Sequence, residues 1–598
     1  MTAAGPDLSR AAAALVDPWR AAWPDALGAW GRTTRMHAPR LHTGPVPAVP
    51  SFAWYDSSTV EVNVDLAQVA RLGLEDHAVA VLAHEVGHHV LAPADGRTRV
   101  RIAARVRAGL VDRDDLVPLV ANLWCDLLIN DRLQRTGGAD LVAVWRALGG
   151  ASDPVMALVL RACELLWGRP RYELCGTAVP VREDAAWLCS RLVRAYARDP
   201  VAGSGGFAAL VRTSLATDLP ETGEGALAGA RSLACGDEAP LDGVPYGVAD
   251  DDSLGADVLH PALDPAVVGD AADVGDAGAP GDGSAPGAAD AGTPQHGSGR
   301  ADGRGAPHSG ILPPELHATL AALGSSATLE DVAVAWYRER AAPHLVPFRR
   351  AARPGVPDPL LGGLEPWSLG EDVADVDWVG TVTASPVVVP GVTTVRRHVM
   401  DDEPVEPRRE PVDLDLYLDS SGSMKDPRQF SWVALAGAVL VLSALRAGAR
   451  VQATTWSGPH QVAGTGGFTR DADAALRAVV AYFGGGTSFP LWLLRRTYLG
   501  EGTSRPTARR PTHIAVVSDD GARSMVPDVG SGMERDVATR AVQAAGGGGS
   551  LLLDVPAGAV PRLQQWLPEG YDVHSVTGDA ALVEFARRFA RTTWGEGR

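Results

Sequence analysis

Residues 412–456 read VDLDLYLDSSGSMKDPRQFSWVALAGAVLVLSALRAGARVQATTW. An apolar strand (412–419), a long apolar helix (430–449) and a second strand (451–456) follow one another as in a βαβ unit. The alternation runs on: helix at 472–483, strand at 513–519, helix at 534–545, strand at 550–556, then YDVHSV at 571–576 and a last helix at 581–592. Strands alternating with helices call for an α/β, doubly wound, mainly parallel sheet, whose ligands sit at the carboxyl ends of the strands.

Those ends carry oxygen donors in order. DSSGS (419–423) closes the first strand, Thr487 follows the glycines of FGGGTS, and Asp519 closes IAVVSD, with Asp520 as its neighbouring alternative. Short oxygen side chains without sulfur or imidazole suit a hard octahedral cation, Mg2+ or Mn2+. A capped turn before a helix explains DSSGS alone, but not the other two segments. The set Asp419, Ser421, Ser423, Thr487 and Asp519 meets the pattern DxSxS…T…D, and in this it resembles the metal-ion-dependent adhesion site (MIDAS) of the von Willebrand factor A (vWA) fold, over about residues 411–598. The resemblance implies a Mg2+-dependent protein-binding domain in which a partner's Asp or Glu completes the metal shell. Bacterial vWA proteins similar to this one work beside MoxR-type AAA+ ATPases, which makes such an ATPase an expected partner. The glycine runs at 484–486 and 546–549 do not make a nucleotide site: no lysine follows either, and the second falls between a helix and a strand.

The other half carries a different signal. FAWYDSSTVEVNVD (52–65) alternates around Val60, Val62 and Val64 like a half-buried strand, and EDHAVAVLAHEVGHHVLAP (75–93) reads as a helix with acids in its first turn and Pro93 beyond its end. Within that helix His84, Glu85 and His88 form HExxH. Two histidines four apart project from one helix face and can ligate Zn2+, while Glu85 beside them can take a proton from a water that the metal acidifies. With 15 His in the chain, a chance HExxH has a probability of only about 2%. His77 shares the face of His84 but reads better as a partly exposed helix histidine.

A catalytic zinc takes a third protein ligand and keeps one open position. Leu91 and Ala94 stand where the Gly and His of an extended HExxHxxGxxH motif would be needed, so the ligand lies farther on. In LVANLWCDLLINDRLQ (119–134), Asn122, Asp126 and Asn130 recur every four residues on one helix face. Asp126 is the expected third ligand, with Asn122 or Asn130 holding its carboxylate or a ligand histidine; Asp131 and Glu164 are the rivals. The two helices resemble the zincin metallopeptidases, and more narrowly a bacterial group in which HExxH precedes a helix of the type W…D…IN, here Trp124, Asp126, Ile129 and Asn130. If that holds, the strand at 59–65 is a natural edge for an extended peptide.

Composition sets the frame. The chain has 598 residues, 46% of them apolar, enough for about three or four units with real cores. Its net charge is −18, of which −12 falls in residues 236–310, leaving −6 for everything else. That stretch, rich in Gly, Ala, Asp and Pro, reads as a disordered acidic linker. No basic stripe points to nucleic acid. The five cysteines, odd in number and without CxxC spacing, read as buried thiols. Lys425 is the only lysine, which we ascribe to coding bias. The N-terminus lacks the features of a secretory signal, and the longest apolar run, 432–442, is far short of the roughly 20 residues of a membrane span.

The expectation is therefore a multidomain cytoplasmic protein. Residues 1–235 form a mainly α (α+β) zincin-like domain, 236–310 the linker, 311–410 a helical and extended lead-in, and 411–598 the vWA domain. Its expected function is zinc-dependent hydrolysis of a protein or peptide substrate, coupled to Mg2+-dependent binding. The alternative is a non-catalytic adaptor of a MoxR-type ATPase with a structural or degenerate zinc site.

Overall fold

The computed structural model describes residues 6–44, 46, 51–215, 241, 243–269, 310–348, 350–353, 360–400, 408–500, 505–527, 535–578, 581, 585 and 589. The architecture is mixed α/β, and the contacts divide it into two units: Met1–Arg340 with Asp426–Ser431, and Ala341–Lys425 with Trp432–Arg598. The helical part of the lead-in, up to residue 340, thus belongs to the first unit and the extended part to the second. No helix among the described residues is long and apolar enough to cross a membrane.

In the first unit, strands β1 (Arg40–His42), β2 (Ala53–Asp56) and β3 (Glu61–Asp65) form a small sheet in the order β1-β3-β2. The strand expected to offer a peptide-binding edge is therefore the middle one, its backbone paired on both sides, and that expectation is corrected. Helices α1 (Pro6–Ala21), α2 (Trp23–Gly28) and α3 (Leu66–Leu72) precede α4 (Ala78–Val90), which follows a short 3-10 turn at Glu75–His77. After it come α5 (Gly96–Leu110), α6 (Val117–Thr136), α7 (Leu141–Leu148), α8 (Pro154–Leu166), α9 (Glu183–Ala195) and α10 (Pro200–Leu215), followed by α11 (Pro313–Ala322) and α12 (Leu329–Ala341). Helices α4 and α6 cross closely at Gly87, where a Cβ would come within 2.5 Å of Ile129 and 2.8 Å of the Trp30 ring. A larger residue there would force the two helices apart.

Residues 243–269 lie within the stretch read as a disordered linker, and here the structure differs. They are ordered against the first unit. Arg97 and Arg101 of α5 donate to the carbonyls of Tyr246 and Gly247, and Arg191 of α9 donates to that of Val267. Arg101 also pairs with Asp251 and Arg340 with Asp252, while the buried Glu339 accepts from Gly247 N and Ala249 N. Arginines elsewhere in the unit thus neutralise acids that look unbalanced within the stretch, and Val248, Leu254, Pro261 and Val267 are buried as anchors. Residues 236–240, 242 and 270–309 of the expected linker lie outside the described residues.

The second unit contains two small antiparallel pairs, β4 (Arg350–Arg353) with β7 (Arg408–Pro411) and β5 (Leu360–Pro366) with β6 (Val395–Met400). Its main sheet has the order β10-β9-β8-β11-β12-β13, built from β8 (Asp413–Asp419), β9 (Val451–Trp456), β10 (Val462–Gly464), β11 (Thr512–Ser518), β12 (Gly546–Leu553) and β13 (Tyr571–Ser575). All pairings are parallel except the β9–β10 edge. Every residue of β8, β9 and β11 is buried, as befits strands covered on both faces. Helix α13 (Trp432–Arg446) brings Gly437 against Leu416 and Leu418 on one face, while Tyr417 on the other joins Phe489, Leu491 and the residues of α15 (Val537–Ala545). Helix α14 (Ala472–Val480) contacts α13 and β9. The glycine run expected between helix and strand forms the start of β12 instead. At Gly547 a Cβ would stand 2.3 Å from the backbone of Thr512, so only glycine allows β11 and β12 to approach there.

The topology reverses between β8 and β11. In such sheets a crevice opens at the carboxyl ends of those two strands.

Candidate metal centres

Helix α4 carries His84, Glu85 and His88; α6 carries Asn122, Asp126 and Asn130. Their crossing brings three ligand atoms, one from each of His84, His88 and Asp126, within 4.8 Å of one another. Nε2 of both histidines stands 3.3 Å from an oxygen of Asp126.

The outer atoms of the same side chains are held. His88 Nδ1 lies 3.1 Å from the Ala92 carbonyl, an acceptor only, so that nitrogen carries the hydrogen and Nε2 the lone pair. His84 Nδ1 lies 2.8 Å from Asn130 Oδ1, and Asn122 donates to Asp126 Oδ2 at 3.1 Å. What remains turned inward is His84 Nε2, His88 Nε2 and Asp126 Oδ1, all buried and none with a hydrogen-bond partner. Two imidazole lone pairs facing a carboxylate oxygen repel unless a proton or a metal cation lies among them.

Burial alone would depress the basicity of His84, but the Asp126 carboxylate, with smaller help from Glu85 and Asn130, overrides it and raises the pKa to about 9. Burial would likewise raise the pKa of Asp126, and the two histidines hold it below the ordinary value. The cluster is thus built to neutralise a positive charge. Two imidazoles and one carboxylate fit Zn2+, with space left for a fourth ligand.

Glu85 is fully buried and lines, with His84 and Asp126, a pocket of about 40 Å3. Apart from Asn130, its other walls are mainly apolar, from Phe52, Ala80, Val81 and α7. The rivals for the third ligand point elsewhere: Asp131 pairs with Arg194 at 3.2 Å, and Glu164 accepts from Arg161 and from the backbone of Tyr172, Leu174 and Cys175. His89 bonds Tyr55, and His77 ends the 3-10 turn ahead of α4. Of the five cysteines, Cys125, Cys163, Cys175 and Cys189 are buried free thiols, and Cys235 lies outside the described residues.

The second constellation sits in the β8/β11 crevice. Asp419 ends β8 and accepts from Ser421 N at 2.8 Å and from Ser518 Oγ at 2.6 Å, while the hydroxyls of Ser421 and Ser423 are 3.2 Å apart. The loop bearing Thr487 is stitched to the end of β8, with Gly422 N donating to Gly485 O at 2.8 Å. Asp519 follows β11 and caps the next turn through Gly521 N. At Gly521 a Cβ would meet Thr487 Cγ2 at 2.5 Å, Asp519 Oδ1 at 2.9 Å and Asp419 Oδ2 at 3.3 Å, so one small space borders all three segments. Asp519, not the exposed Asp520, faces it.

Burial raises the pKa of Asp419, and the neighbouring Asp519 adds to the rise against the bonds from Ser518 and Ser421. Ser423 and Thr487 are exposed, which leaves the crevice open to solvent. Hydroxyls and carboxylates without nitrogen or sulfur fit a hard cation, Mg2+ or Mn2+. Sequence reasoning missed Asp554, which follows β12 as Asp519 follows β11 and sits at the same strand end as Asp419 at the close of β8. Burial and then Asp519 raise its pKa against the influence of Lys425. The available signal was an acid closing an apolar strand, LLLD.

No family model matches the chain, and neither the curated proteins nor the solved structures give a significant match.

Proposed function

We propose that the first unit is a zinc-dependent metallopeptidase centred on His84, His88 and Asp126, and that the second is a vWA-type domain binding a protein partner through Mg2+. The observation that carries the first part is the convergence of three buried, unbonded ligand atoms whose outer partners are already fixed. Zinc bound by these three side chains would supply Lewis acidity. Glu85, in the same pocket, is placed to take the proton of the attacking water and pass it to the leaving amine. His84 and His88 are kept in the ligating tautomer by Asn130 and Ala92, and Asn122 keeps the Asp126 oxygen turned inward.

Glu85→Gln preserves shape but not basicity. The full chain carrying it should bind as much zinc as wild type and cleave protein substrates about 100- to 10,000-fold more slowly. Equal cleavage by the variant would remove Glu85 from the chemistry.

One observation favours a second reading. A 40 Å3 pocket around a fully buried Glu85 does not admit a peptide backbone as it stands. This suits a structural zinc in an adaptor of a MoxR-type AAA+ ATPase, with Asp419, Ser421, Ser423, Thr487 and Asp519 carrying the binding. Wild-type protein that holds zinc but cleaves nothing would decide for it.

A further inference from the structure

Strand β10 forms one margin of the main sheet: β9 pairs with it on one side, and among the described residues no strand pairs with it on the other. An open edge offers backbone N–H and C=O groups to another chain unless proline, charge or a covering element blocks it. Although β10 is only three residues long, the segment QVAGTGG (461–467) has no proline and no charge, and at Gly466 and Gly467 a Cβ would meet nothing within 4 Å.

Beside this edge lies a cavity of about 160 Å3, lined by β10, by Gln452 and Thr454 of β9, and by Trp492, Leu493 and Arg496. Its walls are tied together, because the buried Asp415 accepts from Gln452 Nε2 at 3.1 Å and from Tyr498 Oη at 2.8 Å. Tyr498 and Arg496 belong to a π-helical turn, Arg495–Leu499, an uncommon geometry that recurs at functional sites. The turn leaves Tyr498 buried and Arg496 exposed, with the guanidinium 5.3 Å from the centre of the Trp492 ring. That stacking is the only side-chain interaction of Arg496 among the described residues, and no acid lines the cavity. A guanidinium held against an indole at the mouth of a polar cavity, with no carboxylate of its own, is ready for one from outside.

We propose that β10 and this cavity form a second docking site, independent of the metal crevice, for an extended acidic peptide: its backbone pairs with β10, and one Glu side chain enters the cavity to meet Arg496. The edge supplies affinity for any extended chain, and Arg496 selects the acidic one.

The test uses the full chain carrying Asp419→Ala, in Mg2+-free buffer without chelator, so that the metal crevice does not take the carboxylate. Fluorescence anisotropy follows labelled Thr-Val-Glu-Val-Thr and its Gln analogue. The Glu peptide should bind about ten-fold more tightly than the Gln peptide. Adding Arg496→Gln should erase that preference, and Arg496→Lys should keep part of it. N-methylation of alternate backbone nitrogens of the Glu peptide should weaken binding at least as much. Equal binding of the two peptides, an unchanged preference in Arg496→Gln, or no loss on N-methylation overturns the proposal. Free glutarate that displaces the labelled peptide as well as unlabelled peptide does would also overturn it, since the carboxylate would then bind without the strand.

Discussion

Asp126 Oδ1 faces the Nε2 atoms of His84 and His88 at 3.3 Å, an arrangement that a proton on an imidazole or a shared metal cation stabilises. Asn130 contributes only through His84, by holding Nδ1 at 2.8 Å. Asn130→Ala should therefore lower zinc affinity about 10- to 100-fold while leaving the helices intact, as read by competition with a chelator and by circular dichroism. Asn122, Asp126 and Asn130 were legible in the sequence because three polar residues spaced by four on an apolar helix require a partner. The Ala92 carbonyl was not legible, since any residue supplies one. Nor could the sequence dismiss Asp131: its counter-charge, Arg194, sits on α9, far along the chain. In the sequence Asp519 is favoured over Asp520 because it directly follows the apolar strand, and the turn after β11 brings it, not the exposed Asp520, toward the crevice.

At the scale of elements, β8 does more than carry Asp419 to the crevice. Its central Asp415 is fully buried and receives Tyr417 Oη at 3.0 Å, Tyr498 Oη at 2.8 Å and Gln452 Nε2 at 3.1 Å. Burial outweighs these bonds and raises its pKa from 3.8 to about 7. Between those values the folded chain holds a proton that the unfolded chain has lost, so stability falls as pH rises from about 4 to 7, by on the order of 4 kcal/mol in all. The thermal midpoint of the second unit should fall over that range in wild type and much less in Asp415→Asn, which stays neutral and can still bond the tyrosines. An unchanged slope in the variant would show that Asp415 is ionised in the fold. The βαβ order of this unit was readable because fully buried parallel strands are continuous apolar runs. The first turn of β12 was not, because glycines carry no side-chain pattern and their place in the sheet is set by how closely β11 approaches. Strand β3 was recognised as a strand, but its central position was invisible, since β1 and β2 supply its partners.

Over the whole molecule, the net charge of −18 is less one-sided than composition suggests. Part of the acidic stretch is ordered because arginines of α5, α9 and α12 meet its carboxylates and carbonyls, pairings that cross about 70 to 150 residues and leave no local mark. The two candidate metal constellations were legible in outline for the opposite reason: HExxH and DSSGS are local, and their chemistry shows in a few adjacent residues. If the second carries Mg2+-dependent binding, Asp419→Ala should abolish the metal-dependent part of partner capture in a comparison with and without Mg2+, while zinc content stays unchanged. Capture that is independent of Mg2+ in wild type would count against it. The central claim is the zinc centre, and metal analysis of the purified full chain after exhaustive dialysis tests it most directly. One zinc per chain, lost in His88→Ala, is the expected result; a wild-type chain without zinc, or a His88→Ala variant that keeps it, would contradict the account.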